Sequence, residues 1–233
     1  MKSILALFAL SLLTAVSATA AEVNTLTDAQ TGKGWRLLFN GKDLTGWRTY
    51  REGGTIGEAW IVKDGILIKQ GKVRGGDMMT TEAFGDFDLN WEWKIATNGN
   101  NGIKYFITRE RKSPIGHEYQ MLDDNGHPDG KKGEARKSAG FYDVLPAAKD
   151  KLLKKPGAWN HSRIFVRGDH VEHWLNGSKV LEYDCGSDEV LKAVQDSKFK
   201  KVKDFGRKTS GHLLLTDHGN ECHFKNIRIR EFK

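Results

Sequence analysis

The residue pattern that most constrains the fold is the alternation of apolar and polar side chains over residues 87–95. Phe87, Leu89, Trp91, Trp93 and Ile95 alternate there with polar and charged residues. A strict period of two is typical of a β-strand with one buried face, because successive side chains of a strand point to opposite sides. The pattern predicts a long strand whose apolar face lies against a second layer.

Turn signals recur along the rest of the chain and divide it into short strands. Asp64-Gly65, Gly168-Asp169 and Asn176-Gly177 each separate two apolar runs and predict tight hairpins. The apolar period changes only over residues 187–205, where Ser187 is suited to cap a helix. We therefore predict an all-β, two-sheet antiparallel sandwich with one short helical insertion.

Residues 100–127 form the candidate functional stretch, which we interpret as two strands joined by a basic, proline-containing turn. On the second strand Glu118, Gln120 and Leu122 share one face, and His117, Tyr119, Met121 and Asp123 share the other. Acid and amide side chains beside each other, opposite Tyr and Met, are typical of a sheet with a polar cleft on one side. A solvated outer face would give the same pattern.

The first 20 residues have the layout of a secretory signal peptide: Lys2, then an apolar run too short to span a bilayer, then small residues. We predict a signal peptide over residues 1–20 and a single domain over residues 21–233. No later apolar run is long enough for a membrane helix, so we expect an exported protein, periplasmic or secreted, without a membrane anchor.

The chain carries a formal net charge of +7. The excess lies mainly in the lysine clusters at residues 151–155 and 198–208, which are not interleaved with aromatics. Such clusters are typical of a solvated face and argue against a nucleic-acid partner. Cys185 and Cys222 are the only cysteines, and in an oxidising compartment they form either a disulfide or two buried thiols.

Seven segments together resemble, in chain order, the 3-keto-disaccharide hydrolase family, which was long known as a domain of unknown function. The segments are LFNGKDLTGW, GDFDLNWEWK, NNGIKYF, GHEYQMLDD, GAWNHSRI, HWLNG and LTDHGNECHFKNIRIREF. The resemblance implies a concanavalin A-like jelly roll whose concave sheet holds a carbohydrate. It also implies a small saccharide substrate already oxidised to a ketone at the 3-position.

That chemistry assigns expected roles to particular residues. A ketone at carbon 3 acidifies the hydrogen on carbon 2, so the enzyme needs a base there and a group that stabilises the enolate. Glu118 is the first choice for the base, with His173 as the alternative, and Lys104 is the expected enolate partner. A divalent cation could serve instead of Lys104, with Asp124 and His127 as candidate ligands, although no diagnostic metal spacing is present.

Further residues are candidates for substrate binding, each with a structural alternative: Gln120, Tyr105, Asp123, His127, Trp174 and His218. His127 could instead cap a loop. His173 shares strand parity with Val171 and Leu175, which would place it in the core and leave Trp174 facing the cleft. His218 lies in an Asp-His-Gly segment that could be a simple turn.

Three functions compete at this point. The first is cleavage of 3-keto-glycosides by proton abstraction beside the ketone, elimination of the leaving group and hydration. The second is a laminarinase-type glycoside hydrolase, which needs two carboxylates; Gln120 stands where a second acid is expected. The third is a non-catalytic carbohydrate-binding module.

Overall fold

The computed structural model describes residues 23–111 and 113–232, which form two antiparallel sheets packed face to face. The strands are β1 (Arg36–Leu37), β2 (Trp47–Thr49), β3 (Trp60–Lys63), β4 (Ile66–Lys69), β5 (Met78–Phe84), β6 (Phe87–Ile95), β7 (Asn100–Ile107), β8 (His117–Leu122), β9 (Asn160–Arg167), β10 (His170–Leu175), β11 (Ser178–Asp184), β12 (Gly211–Leu215) and β13 (Cys222–Glu231).

The strand order is that of a jelly-roll sandwich, as predicted. The larger sheet runs β11-β10-β9-β6-β13-β4-β3, with β1 paired to β13, and the smaller sheet runs β2-β5-β12-β7-β8. Some strands that follow one another in sequence, such as β12 and β13, belong to different sheets. The crossing places the loop between them at one end of the sandwich.

The core lies between the sheets and is built around β6, whose predicted alternation is confirmed. Phe87, Leu89, Trp91 and Trp93 are almost fully buried. Trp91 packs edge-on against Tyr119 of β8, with ring centroids 4.9 Å apart. Aromatic pairs of this geometry add specificity to apolar burial, so the period-two pattern of one strand fixes how the two sheets meet.

The predicted hairpins are confirmed, and their residues have the backbone angles that such turns require. Asp64 and Gly65 connect β3 to β4 with φ angles of 52° and 75°, and Asn176 and Gly177 connect β10 to β11 with 48° and 91°. Positive φ at both central positions is the type I′ geometry that matches strand twist. The turn at Gly168-Asp169 likewise separates β9 from β10.

The predicted helical insertion is present but shorter than the pattern suggested. It forms α2 (Asp188–Asp196), and the Ser187 side chain caps it by accepting a hydrogen bond from the Val190 N–H. A second, unpredicted helix, α1 (Asp28–Gly32), begins at a capping box between Thr27 and Gln30. The Thr-x-x-Gln pattern at residues 27–30 was the available signal for α1. Two short 3₁₀ segments, Pro128–Lys132 and Glu134–Arg136, follow β8.

β8 is the outermost strand of the smaller sheet, and the residues at 139–142 cover its outer edge. The Ala139 N–H donates to Gln120 O over 2.8 Å, and the Tyr142 N–H donates to Glu118 O over 3.0 Å. This segment therefore fixes the backbone of the strand that carries Glu118.

The possible disulfide between Cys185 and Cys222 is not formed, and both thiols are free and buried. Cys222 begins β13 in the middle of the larger sheet, whereas Cys185 follows β11 at its edge, four strands away. Strands lie about 4.8 Å apart, so the two residues are much too distant for a disulfide, which needs Cα atoms within about 7 Å.

The predicted signal peptide falls outside the described residues. Within residues 23–111 and 113–232, no helix has the length and apolar content needed to cross a membrane.

Candidate functional site

A cavity of about 360 Å³ lies on the outward face of the smaller sheet, over β7 and β8. Antiparallel pairing sets Lys104 directly opposite Glu118 and Gly102 directly opposite Gln120. The expectation that Glu118, Gln120 and Lys104 share a cleft is therefore confirmed. The cavity is lined by Asn100, Lys104, Ile115, Gly116, Glu118, Gln120, Tyr142, Lys198, Phe199, Val202 and His218.

Glu118 is buried yet held in its ionised form. Burial alone would raise the pKa of its carboxyl, but the charges of Lys104, His218 and Lys198 and a hydrogen-bonding interaction with the His218 ring bring the pKa below its ordinary value. Its Oε1 atom is buried and accepts no hydrogen bond from the described residues. The cavity thus presents a carboxylate oxygen that is free to accept a proton or a hydrogen bond.

Two further buried acceptors lie in the same cavity without a partner among the described residues: Asn100 Oδ1 and Gln120 Oε1. A buried acceptor without a partner costs about 1–3 kcal/mol. Three such acceptors, with the ammonium group of Lys104 beside them, are suited to a ligand that carries several hydroxyl donors and an electron-rich oxygen.

The opposite wall comes from residues that follow α2 and from the segment that covers β8. The Lys198 Nζ lies 4.1 Å from the centroid of the Tyr142 ring. Tyr142 donates from its hydroxyl to Asp129 Oδ2 over 2.7 Å, and Arg136 donates to Asp129 Oδ1 over 2.9 Å. Burial lowers the pKa of Lys198. The nearby carboxylates raise it in part, and among them Glu118 has the largest effect. Lys198 is therefore a second cation near Glu118, and it packs on the ring of Tyr142, whose hydroxyl is held by Asp129.

His218 reaches the cavity from the loop between β12 and β13, which a buried ion pair anchors. The carboxylate of Asp217 is 2.9 Å from the Lys69 Nζ and accepts hydrogen bonds from the N–H groups of Gly75, Gly76 and Gly219. Lys69 is fully buried and also donates to two backbone carbonyls. The Asp-His-Gly segment is thus both a turn and part of the site: Asp217 anchors the loop and His218 faces the cavity.

Gly102 leaves the space that the Glu118 side chain occupies. A Cβ atom at position 102 would overlap Glu118 Oε1 and lie 3.1 Å from its Cγ. We expect Gly102→Ala to fold normally, because a side-chain end can move aside, and to lower kcat/KM at least about tenfold by displacing the carboxylate. Steady-state kinetics and urea unfolding of the variant test this.

The control is Gly85→Ala, where an added Cβ meets no atom closer than 4.0 Å. Equal activity of the two variants would show that the position of Glu118 does not depend on Gly102.

The structure does not place His173 or Tyr105 in the cavity. Both point into the core between the sheets, where the Tyr105 hydroxyl lies 2.8 Å from His173 Nε2 and 2.6 Å from the Tyr183 hydroxyl. His173 donates from Nδ1 to Ala139 O, and burial lowers its pKa to about 4. His173 is therefore removed as an alternative base, and Tyr105 as a substrate contact.

Trp174 does not face the cleft either, although His173 is a core residue as its parity suggested. β10 belongs to the larger sheet, so the residues that point away from the core lie on the side of the molecule opposite the cavity. There Trp174 donates to Glu172 over 2.7 Å and packs against Arg163. The predicted sugar contact is therefore wrong.

The acids and the histidine after β8 organise a loop and do not line the cavity. Asp123 accepts hydrogen bonds from the Asn98 and Gly126 N–H groups. Asp124 accepts one from the Ser138 N–H and pairs with Lys151 at 3.0 Å. His127 caps the first 3₁₀ segment by accepting from the Asp129 N–H, which is the structural alternative considered for it.

The candidate metal ligands Asp124 and His127 are not brought together in one cluster. Among the described residues, the group of His, Cys, Asp or Glu side chains close enough to hold an ion is His170, Glu172 and Glu182. It lies on β10 and β11 of the larger sheet, away from the cavity.

Three of the polar cavity residues were not selected from the sequence: Asn100, Tyr142 and Lys198. Asn100 and Lys104 are four residues apart on β7, so their side chains point to the same face of the sheet. That spacing could have identified Asn100 as a cavity residue. Tyr142 and Lys198 come from loops distant in sequence, and Lys198 opens a lysine-rich segment interpreted as a solvated face. Neither had a local signal.

Comparison with known proteins gives matches over nearly the whole described chain. The family model for the 3-keto-alpha-glucoside-1,2-lyase-like domain matches residues 34–230. A 3-keto-disaccharide hydrolase from Bacteroides thetaiotaomicron is 32% identical, over 91% of this chain and 83% of the relative.

Two solved structures of proposed glycosyl hydrolases from Parabacteroides distasonis share the fold. One is 33% identical, with a TM-score of 0.81, over 91% of this chain and 100% of its own. The other is 30% identical, with a TM-score of 0.68, over 85% of this chain and 99% of its own.

Proposed function

The chain belongs to the 3-keto-alpha-glucoside-1,2-lyase-like family, and from that premise we propose that it is an enzyme that cleaves glycosides oxidised at carbon 3. The observation that supports this most is the composition of the cavity. Among the described residues that line it, Glu118 is the single carboxylate, and it is surrounded by Lys104, Lys198 and His218. One base among cations suits proton abstraction that generates negative charge on the substrate.

The proposed reaction begins with Glu118, which takes the proton from carbon 2 of the 3-keto sugar. The electron pair of the broken C–H bond passes to the ketone oxygen as an enolate, which the Lys104 ammonium stabilises. When the enolate collapses, the carbon 1–oxygen bond breaks and the leaving group departs with the electron pair, taking a proton from His218. Water then adds across the carbon 1–carbon 2 double bond: it gives one proton to His218 as its oxygen bonds to carbon 1, and Glu118 returns its proton to carbon 2. The product is the free 3-keto sugar, and both side chains regain their starting protonation.

The unpaired acceptors support the placement of the sugar. Asn100 Oδ1 and Gln120 Oε1 lie on the cavity floor with Glu118. Ring hydroxyl groups of a hexose would donate to them and remove the cost of leaving them unpaired. Gln120 is then a substrate contact, as proposed from the sequence.

A two-carboxylate glycoside hydrolase is less compatible with this cavity. Such enzymes place two carboxyl groups about 5 to 9.5 Å apart across the bond. Position 120, opposite Gly102 on the cavity floor, is an amide. A conventional laminarinase-type mechanism therefore has no second acid among the described residues of the cavity.

The proposal is tested with matched glycosides that differ only in a hydroxyl or a ketone at carbon 3, by following release of the leaving group. We expect turnover of the ketone alone. Turnover of the unoxidised glycoside would contradict the proposal, and binding of both without turnover would identify a carbohydrate-binding module. Chelation followed by addition of single divalent cations, in the same assay, tests whether a cation takes part.

The pH dependence of kcat/KM is expected to report the electrostatics around Glu118. Because Lys104, His218 and Lys198 lower the pKa of Glu118 from its ordinary value of 4.5, activity should persist below that pH and be lost as Glu118 is protonated. Lys104→Met removes the charge that lowers the pKa of Glu118 most, so the acid limb of the pH profile should move to higher pH. The enolate would also lose a stabilising group, at a cost of about a hundredfold in kcat.

Lys63→Met is the control for this variant, since Lys63 is exposed at the end of β3 in the larger sheet. An acid limb that stays in place in Lys104→Met would mean that Glu118 is not the group that titrates.

We also propose that the enzyme is exported to the periplasm or the medium, with residues 1–20 removed. Cell fractionation and N-terminal sequencing of the mature protein test this. A cytoplasmic protein that keeps its first 20 residues would contradict it.

A further inference from the structure

We propose that a groove beside the cavity binds the leaving group of the substrate and favours leaving groups that carry a carboxylate. The groove is lined by residues 49–57 and 74–77, Pro114 and residues 217–219, and we call it the Arg74 groove. The inference rests on the proposed function and extends it to the second half of the substrate.

The Arg74 groove is continuous with the cavity through His218. His218 lines the cavity and also lines the near end of the groove, together with Arg74 and Gly76. Arg74 and Gly76 also line a wider part of the groove, a space of about 750 Å³ that extends to Pro114. Ile115, the next residue, is in the cavity wall. A ligand that fills the cavity can therefore extend past His218 without leaving the protein surface.

The position of His218 sets the direction in which the substrate lies. Glu118 is on the cavity floor, so the carbon that loses its proton must be inside the cavity. His218 stands at the junction, where the glycosidic oxygen would lie. The sugar that is oxidised occupies the cavity, and the departing group occupies the Arg74 groove.

The groove is formed by closely packed backbone and is not a gap between loose loops. A Cβ atom on Gly57 would lie 2.6 Å from the Gly75 Cα, and the Gly75 and Gly76 N–H groups are bound by Asp217. The Trp60 indole donates to Gly76 O over 2.8 Å. Residues 49–57 and 74–77 are thus held against each other.

The charge of the groove is positive. Arg74 and Arg51 form no side-chain hydrogen bond or ion pair with the described residues, whereas Asp77 is the one acid lining the groove without a cationic partner among those residues. Asp217 is neutralised by Lys69, Asp77 accepts from the Asp217 N–H, and Glu52 pairs with Arg109 at 3.1 Å. A guanidinium without a partner at a groove wall is suited to bind a carboxylate through two parallel hydrogen bonds.

The test compares two 3-keto-glucosides of nearly equal leaving-group reactivity, one with a 4-(carboxymethyl)phenyl and one with a 4-(carbamoylmethyl)phenyl leaving group. We expect the enzyme to favour the carboxylate by about tenfold in kcat/KM at low salt. The preference should shrink at high salt because the groove is open to solvent. In Arg74→Gln the preference should be lost, whereas Arg167→Gln, on β9 of the larger sheet, should keep it.

Calorimetric binding of the two free phenols, (4-hydroxyphenyl)acetate and its amide, provides a readout that does not need turnover. Tighter binding of the acid that Arg74→Gln abolishes supports the groove, even if neither glycoside is cleaved and the proposed function fails. Equal kcat/KM values and equal affinities for the acid and the amide would overturn the groove while leaving cleavage of 3-keto-glycosides intact. An equal loss of kcat/KM for both glycosides in Arg74→Gln would also overturn it.

Discussion

Glu118→Gln is expected to reduce turnover of a 3-keto-glycoside by between about a hundredfold and ten-thousandfold, the range that a positioned base contributes. The amide has nearly the shape of the carboxylate, so the cavity should keep its form. It cannot accept the carbon 2 proton, and it leaves Lys104, its partner across the strand pair, without the opposite charge. The loss should appear in kcat more than in KM, because the proton is transferred in the transition state.

A substrate with deuterium at carbon 2 connects this loss to the proposed step. The parent enzyme should turn over the deuterated glycoside more slowly, since the bond to that hydrogen breaks in the reaction. Glu172→Gln is the matched control, because Glu172 bonds to Trp174 and Lys179 on the outer side of the larger sheet. Activity of Glu118→Gln within tenfold of the parent would remove Glu118 from the role of base.

Lys69→Met is expected to give the largest loss of stability, about 3–5 kcal/mol in the free energy of unfolding. The substitution leaves the carboxylate of Asp217 buried without its counter-charge, and the side chains of the pair are 0% and 6% exposed. Urea unfolding of the parent and the variant measures the difference. Activity should fall as well, because the Asp217 loop positions His218.

The pH dependence of stability offers a second test of the same pair. The Lys69 ammonium and the backbone N–H groups outweigh burial and lower the pKa of Asp217. A depressed carboxyl pKa stabilises the fold above the unfolded pKa, and this contribution is lost as the pH falls through the folded value. The difference in stability between the parent and Lys69→Met should therefore narrow in acid.

The control for stability is again Lys63→Met, whose exposed side chain should contribute little. A loss below about 1 kcal/mol in Lys69→Met would mean that the buried pair does not stabilise the loop.

The sequence was sufficient to predict those features that depend on neighbours along the chain. The alternation over residues 87–95 identified β6, the Asn176-Gly177 pair identified a hairpin, and the parity of Glu118 and Gln120 identified the floor of the cavity. In each case a local rule of geometry, two residues per repeat or a turn that needs positive φ, was enough.

Trp174 and Lys198 were misassigned because their positions depend on the tertiary arrangement of strands and loops. Parity correctly placed His173 in the core, but it could not show that β10 lies in the larger sheet, so Trp174 was assigned to the wrong side of the molecule. Lys198 was missed because its charge resembles that of the exposed lysines after it. Only the tertiary fold brings it over Tyr142 and toward Glu118. For Cys185 and Cys222 the sequence left a disulfide and two buried thiols open, and only the fold shows that they lie four strands apart in one sheet.

The segment at residues 139–142 protects the strand that carries the proposed base from pairing with another chain. An outermost strand presents unpaired N–H and C=O groups that can recruit a strand of a neighbouring molecule and begin aggregation. On β8 the backbone bonds from Ala139 and Tyr142 occupy these positions. The same few residues therefore complete the wall of the cavity and keep its floor strand from acting as a template for self-association.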